Sequence, residues 1–347
     1  MTDETIRIGY VGAGGNTRLR HLPGFAEIDG VESVSVANRS RESGQRVADD
    51  FGLTTVYDSW IDLIEADDTN AICIGTWPYM HRNLVLAALD ADKHVITEAR
   101  MAMNSEEARE MLDASLLKPD LVAQIVPAPH TLRIDNTIKD LILDGYFGDV
   151  LSVDITVHQG GFVDRDAELH WRHSRDLSGN NIMQMGIWYE AIMRWFGPAA
   201  AVTAVGRVNV KHRRDWDGGL AYINIPDHIE LLIEFESGSV ARMRLSTVTG
   251  LAPADQVWIF GSDGTVHVDA ASMSVRGGRR GDGELSEIDI PEEKQGGWRV
   301  EEEFINAIRG IEPVTHTNFF DGVRYMEFTD AVNISMQRGE RVTLPLV

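Results

Sequence analysis

Three glycines in four positions, Gly12, Gly14 and Gly15, follow directly on the apolar run Ile6–Val11, and Asn16 and Thr17 lead from them into a helical stretch. A first glycine permits the tight turn out of a strand, and a second lets a pyrophosphate approach the backbone at the positive end of the next helix. The usual third glycine of the G-x-G-x-x-G pattern is here Thr17. A lone glycine motif says little, but strand, loop and helix come in the order that dinucleotide binding requires. A second group, Asn38, Arg39 and Ser40, closes the next apolar run, Val31–Ala37. A carboxylate at that place holds the adenosine ribose hydroxyls and repels a 2′-phosphate. Asn38 removes the repulsion while Arg39 and Ser40 can donate to a phosphate, so NADP is expected ahead of NAD. Arg18 and Arg20 fall in or near the first turn after the glycines, where the macrodipole disfavours cations. An anion nearby would account for them, and so would two solvated side chains.

These groups need a frame. Up to residue 120, short apolar runs alternate with helical patterns. Ile6–Val11, Val31–Ala37, Ala71–Ile74 and His94–Thr97 read as strands, and 41–51, 59–65, 82–89 and 105–115 as helices. Such alternation predicts a parallel, doubly wound sheet with crossover connections. Past the Pro-rich turn Val126-Pro127-Ala128-Pro129 the pattern changes. A helix over 134–143 ends at Gly145, and strands are expected over 150–158, 201–210, 229–235, 239–248, 256–261, 265–269 and 272–275. Ser237-Gly238 and Asp263-Gly264 supply hairpin turns between them. Helices are expected over 181–196, 301–308 and 320–336, and the Arg- and Gly-rich stretch 277–287 reads as a mobile loop.

Composition narrows the partners. The 347 residues carry 32 Lys+Arg against 54 Asp+Glu, a net charge of −22, which excludes nucleic acid and anionic membrane as general partners. A small anionic ligand in a local pocket remains compatible with it. Cys73 is the sole cysteine, so there is no intrachain disulfide and no multi-cysteine zinc site. No apolar run approaches the roughly 18 residues of a membrane span, and residues 1–5 lack the basic and apolar regions of an export signal. The expectation is a soluble, cytoplasmic protein of two domains.

Several segments together resemble the glucose–fructose oxidoreductase / inositol dehydrogenase / MocA-like (Gfo/Idh/MocA) family. Gly75-Thr76-Trp77-Pro78-Tyr79-Met80-His81 is similar to the family's T-P-P-x-x-H, and Lys93-His94-Val95 leads into Glu98-Ala99-Arg100. Gly145-x-x-Gly148-Asp149, Trp171-Arg172, Gly179 to Trp188, Glu303-Phe304, Glu312-Pro313, Ser335, Gly339 and Val342 continue the match in order. The resemblance implies a Rossmann NAD(P)-binding domain over 1–125. Over 126–347 it implies an α+β domain for substrate binding and oligomerisation, with a large open, mainly antiparallel sheet. The last helices of that domain can pack back on the first. It further implies Thr76, Trp77, His81 and Glu98 at the cofactor, a polyhydroxy substrate, and a homo-oligomer, dimer or tetramer, built through the open sheet.

The resemblance breaks at the chemistry. Typical members carry E-K-P, and an Asp and a His four residues apart on a helix; here those positions read Ala99, Arg100, Gln184 and Trp188. Reversible alcohol oxidation needs a group that takes a proton as hydride leaves, which Ala and Trp cannot do. Tyr189 and His170 are the leading proton-transfer candidates, with Glu98 the retained carboxylate; a packed aromatic and an exposed loop imidazole are their plainer roles. Arg100, His130, Trp171, Arg172, Gln184 and Trp188 are candidate substrate contacts, because sugar faces pack on Trp rings and their polar edges bind Arg, Gln and His. Arg100 can bind a substrate carboxylate or pair with Glu98. His170 and His173 stand three apart without a clear third ligand, so no metal is expected. Three activities stay open: an oxidoreductase on a sugar or cyclitol with an atypical centre, a nicotinamide-assisted glycoside lyase or hydrolase, and a non-catalytic dinucleotide or sugar sensor.

Overall fold

The computed structural model describes residues 5–158 and 161–346. The acidic opening, residues 1–4, on which the reading of no export signal partly rests, lies outside them. The chain forms two compact units, Met1–Pro127 with Arg299–Val323, and Ala128–Trp298 with Arg324–Val347.

The first unit holds six parallel strands in the order β3-β2-β1-β4-β5-β6. They are β1 (Ile6–Val11), β2 (Val31–Ala37), β3 (Thr55–Tyr57), β4 (Ala71–Ile74), β5 (His94–Thr97) and β6 (Ala123–Ile125). A wide helical turn, Thr17–His21, runs into α1 (Leu22–Ala26). Then come α2 (Arg41–Phe51), α3 (Trp60–Glu65), α4 (Pro78–Asp90) and α5 (Ser105–Leu116). Strands buried on both faces read as unbroken apolar runs, as all four residues of β4 do. The strand order reverses between β1 and β4, and at such a reversal the loops leaving the strands part to form a ligand crevice. Strands β3 and β6, three residues each, escaped the sequence reading because so short a run shows no period.

The second unit carries α6 (Asp135–Leu143), β7 (Val150–His158), α7 (Arg175–Ser178), α8 (Met185–Phe196) and β8 (Ala199–Arg207). A small hairpin follows, β9 (His212–Arg214) with β10 (Leu220–Tyr222). The remaining strands are β11 (His228–Phe235), β12 (Val240–Ser246), β13 (Gln256–Gly261), β14 (Gly264–Asp269), β15 (Ser274–Arg279) and β16 (Ser286–Glu287). Helix α9 (Val300–Ile308) belongs to the first unit, α10 (Phe319–Arg338) is shared at Val323, and β17 (Val342–Thr343) closes the chain. Nine strands make one sheet in the order β16-β15-β14-β13-β7-β12-β11-β8-β17, antiparallel except for β7 beside β12. In β11, Ile229, Leu231, Ile233 and Phe235 are buried while His228, Glu230, Leu232 and Glu234 face outward, the alternation of a sheet covered on one face. The C-terminal part of α10 is tied to this sheet, where Ser335 Oγ accepts from Ala204 N–H at 2.9 Å. The expected mobile loop over 277–287 is instead strand at both ends, 277–279 continuing β15 and 286–287 forming β16, with Gly277 facing Ser286. Its glycines allow close approach, since a Cβ at Gly277 would meet Ile288 Cδ1 at 2.5 Å.

Candidate active site

The glycine loop is built by close approach of two strand ends. Gly12 takes φ +78° and donates to Ala37 O, while Gly75 N–H bonds Val11 O, so the exits of β1, β2 and β4 are tied together. A Cβ on Gly12 would sit 2.5 Å from Thr76 Cγ2, and one on Gly75 would sit 2.1 Å from Thr17 Oγ1 and 2.4 Å from Gly12 O. Thr17, standing where the third glycine was expected, is 1% exposed and packs under this crossing rather than opening to a ligand. Asn38 joins the second strand to the loop: its Oδ1 accepts from Ala13 N–H at 2.7 Å, and its Nδ2 donates to Ser43 Oγ at 2.8 Å. A groove of about 550 Å³ runs over these strand ends, with Gly12, Gly14, Asn38, Arg39, Thr76 and Trp77 in its wall. Gly15 and Asn16 are exposed on the same loop.

One cofactor expectation, His81, is corrected, and the structure places two further residues. Ser40 is exposed and caps α2, its Oγ accepting from Ser43 N–H while its own O–H stays available to donate, and Ser43 stands in the groove wall. His81 is fully buried, and its ring reaches the Thr76 carbonyl at 3.0 Å and the Arg100 carbonyl at 2.9 Å. It laces the loop after β4 to the loop after β5 and shapes the wall without being part of its surface. Arg18 pairs with Asp50 and lies over the Phe51 ring, so its charge is answered within the protein. Trp60, which the sequence did not single out, and Met80, a variable position of the motif quoted above, also line the groove.

Behind the loop lies a charged cluster that the sequence did not disclose. His21, 0% exposed, bonds Glu301 Oε1 through Nδ1 at 2.5 Å and Glu98 Oε1 through Nε2 at 3.2 Å. Asn16 Nδ2 donates to the same Glu98 oxygen at 2.5 Å. Burial opposes the charge on His21, but its bonds to Glu301 and Glu98 outweigh that and raise the ring to about 9. Burial likewise works against Glu98, yet His21 and Asn16 hold its carboxyl below the usual range. Because the folded value of His21 exceeds the unfolded one, its contribution to stability is complete below about pH 6.5 and is lost as pH rises through about 9. In sequence His21 is one histidine beside Leu22 and Phe25, and its second carboxylate stands 280 positions away.

The second unit gathers the other candidates into two groups. His130 stacks on Trp188 with ring centroids 5.3 Å apart, and Gln184 sits one turn earlier, at the N-cap of α8. Trp188 is 3% exposed, so it supports His130 and does not offer a face to a sugar. His170, Trp171, Arg172 and His173 form a single helical turn with the Arg172 guanidinium 4.2 Å over the Trp171 ring. His170 Nδ1 accepts from Arg172 N–H, and His173 Nδ1 accepts from His170 N–H. Burial and Arg172 lower His170; burial, Arg213 and His170 push His173 down to about 4. His170 is therefore a neutral ring whose lone pair serves the turn, not the tuned proton acceptor expected of it. Arg100, in the first unit, is 7% exposed, its carbonyl held by His81, so its guanidinium is not displayed at a surface.

Tyr189 is corrected most sharply. It is 1% exposed, lies parallel to Phe328 at 3.6 Å, and its hydroxyl accepts from Ala199 N–H at 2.9 Å. Burial pushes that hydroxyl well above its usual range. Tyr189→Phe should leave kcat within about twofold and cost about 1 kcal/mol of stability through the orphaned Ala199 N–H. Steady-state kinetics with urea unfolding decides; a tenfold fall in kcat at unchanged stability would restore the residue to the chemistry. Among the described residues no three His, Cys, Asp or Glu side chains gather as metal ligands, and no helix is long and apolar enough to cross a membrane.

Comparison with known proteins bears on the fold and the family. Residues 6–122 match an oxidoreductase family with an NAD-binding Rossmann fold, and residues 136–267 match the GFO/IDH/MocA C-terminal domain. A dTDP-3,4-didehydro-2,6-dideoxy-alpha-D-glucose 3-reductase of Saccharopolyspora spinosa is 25% identical over 270 residues, 77% of this chain and 76% of the relative. A D-xylose 1-dehydrogenase [NADP(+)] of Haloarcula marismortui is 26% identical over 281 residues, 78% and 74% of the two chains. The solved structure of a levoglucosan dehydrogenase in complex with NADH and L-sorbose shares the fold, with a TM-score of 0.85 over 98% of this chain and 99% of that one at 20% identity. With one match on the parallel-sheet half and another on the open-sheet half, the chain belongs to the GFO/IDH/MocA family of NAD-binding oxidoreductases.

Proposed function

We propose that the protein is a nicotinamide-dependent oxidoreductase of sugars, cyclitols or related polyhydroxy compounds, that it prefers NADP to NAD, and that its centre works without the family's lysine and Asp/His pair. The observation that carries this reading is the groove over the exits of β1, β2 and β4, with the glycine loop at one side and Asn38 and Arg39 at another. Its residues fit a dinucleotide: Gly14 and Gly15 leave space at their Cα atoms for a pyrophosphate, as neither would carry a Cβ within 3.4 Å of another atom. Bound nicotinamide supplies hydride exchange with a carbon of the substrate. Arg39 and Ser43 take the adenosine ribose and its phosphate, and Thr76 and Trp77 bound the groove beyond the loop. Glu98 presents a carboxylate behind Asn16. His130, Trp171, Arg172 and Gln184 make the sugar contacts in the second unit, and the open face of the nine-stranded sheet pairs copies of the chain in a cytoplasmic homo-oligomer.

Sugar relatives support the substrate class: the names of the two sequence relatives given above are those of a sugar reductase and a sugar dehydrogenase. A panel of sugars, cyclitols and glycosides with NADP+ or NADPH, followed by absorbance at the nicotinamide band and product analysis, tests the reading. Net cofactor turnover supports it. Glycoside cleavage without net turnover would replace it by transient oxidation and elimination, and tight cofactor binding without turnover on any member would replace it by a sensor.

Cofactor choice has its own test. Asn38→Asp keeps the acceptor for Ala13 N–H but places a negative charge in the groove wall beside Arg39. NADPH affinity should fall about tenfold, while NADH affinity should hold or rise. Fluorescence titration of both reduced cofactors measures this, and unchanged NADPH affinity would remove the 2′-phosphate from this corner.

A further inference from the structure

The Asn16–Glu98–His21–Glu301 chain is built with more care than a packing contact requires. Glu98 stands just past the end of β5 with its side chain 15% exposed, His21 lies wholly beneath it, and Glu301 of α9 closes the far side at 6%. One oxygen of Glu98 takes both Asn16 Nδ2 and His21 Nε2, and the other receives Ala99 N–H at 3.3 Å. The carboxylate therefore has one orientation, set from the glycine loop on one side and from the interior on the other. With both ring nitrogens facing carboxylate oxygens, His21 can satisfy both only as an imidazolium, each N–H donating to one of them. The ring's positive charge stands between two carboxylates, and of the two Glu98 is the more exposed.

We propose that His21 is a positioning residue for Glu98: held charged between Glu98 and Glu301, it keeps Glu98 ionised and fixed against the glycine loop, so that the site favours the oxidised, positively charged nicotinamide over the reduced one. The inference rests on the dinucleotide reading given above. Its physical basis is that an unpartnered carboxyl at this depth takes up a proton, whereas one paired with a buried cation does not. Neighbouring groups on β1, β4, α4 and α1 agree. Tyr10 on β1 and Cys73 on β4 are both driven upward, by burial first and by neighbouring groups that include Glu301, and so stay neutral. His81 on α4 adds to the lowering of Glu98, and Phe25 on α1 packs against the His21 ring at 6.5 Å. Burial of a lone histidine in an apolar core would have left it neutral; here the two acids reverse that outcome.

The test compares dissociation constants for NADP+ and NADPH at pH 6, 7 and 8, in the wild type, His21→Gln and Glu98→Gln. The wild-type ratio Kd(NADP+)/Kd(NADPH) should be flat across this range. In Glu98→Gln the ratio should rise about tenfold at every pH, because the charge is gone. In His21→Gln the ratio should match the wild type at the upper end and climb as pH falls, because Glu98 now takes up a proton within the window. A His21→Gln protein that is merely less stable, with a ratio flat at the wild-type value, would overturn the proposal and leave His21 a packing residue. Nitrogen-15 spectra of the wild-type imidazole decide the point independently of whether the variant folds. A doubly protonated His21 ring at pH 8 is expected, and a neutral ring at pH 7 overturns the proposal. Wild-type protein that binds neither cofactor would defeat the dinucleotide reading instead, and the spectra would still decide whether His21 is charged.

Discussion

Arg194→Met is expected to lower folding stability by about 3–5 kcal/mol, a loss typical of removing one partner from a buried ion cluster. Arg194, 10% exposed, bonds Asp135 Oδ2 at 2.8 Å, Glu190 Oε1 at 3.4 Å, the Ala128 carbonyl at 3.1 Å and Thr131 Oγ1 at 2.9 Å. Asp135 and Glu190 are 4% and 1% exposed, so neither can turn to water when the guanidinium leaves. Each keeps another donor, Trp195 Nε1 for Asp135 and Ala128 N–H for Glu190, which limits the loss without supplying the missing charge. The damage should reach the candidate substrate residues, because residues 128 and 131 held by Arg194 bracket His130, the ring stacked on Trp188. Urea denaturation followed by tryptophan fluorescence measures the loss. A shift below about 1 kcal/mol would mean that water enters the cluster and takes over the guanidinium's hydrogen bonds.

Gly75→Ala should have a comparable effect in the first unit, about 3 kcal/mol of stability with about a hundredfold loss of dinucleotide affinity. The added methyl would lie 2.1 Å from Thr17 Oγ1 and 2.4 Å from the Gly12 carbonyl. The second contact decides the size of the effect: a hydroxyl can rotate away, but the carbonyl belongs to the turn that carries Gly14 and Gly15. Relief therefore displaces the loop on which a pyrophosphate rests. Gly15→Ala is the control, since a Cβ there meets nothing within 4 Å, and it should fold normally. Thermal unfolding and NADPH titration of the pair check both statements. Equal behaviour of the two variants would show that the β4 exit gives way more easily than its packing implies.

The frame of the protein was legible because its signals are local. An apolar run, a glycine loop and an amphipathic helix each declare themselves within a dozen residues, and the alternation of β11 can be read from its own sequence. The site was legible only where a motif crosses it. Gly12, Gly14, Asn38, Arg39, Thr76 and Trp77, named from their order in the sequence as candidates, line one groove. Tyr189 and Trp188 were misread because exposure, not residue type, separates a reacting group from a packed one. A sequence places both on a helix without saying which way the core lies. His170 was misread for a different reason, since its near-neutral intrinsic pKa says nothing about the turn that consumes its lone pair. His21 and Glu301 escaped altogether, as no pattern links a histidine to an acid 280 residues later.

That distance also sets a schedule for synthesis. The strands of the parallel sheet are complete at β6, yet α9 must still arrive to supply Glu301 for His21 and Phe304 for Phe25, whose rings meet edge to face at 6.2 Å. At roughly 5–20 residues per second, a ribosome needs about 10–35 s to travel from the end of β6 to Glu301. Throughout that interval the nascent sheet carries an uncovered Phe25 and a histidine with one of its two acids. The unit begun first is still unfinished when most of the second has been made, and a chain cut anywhere before α9 leaves it open.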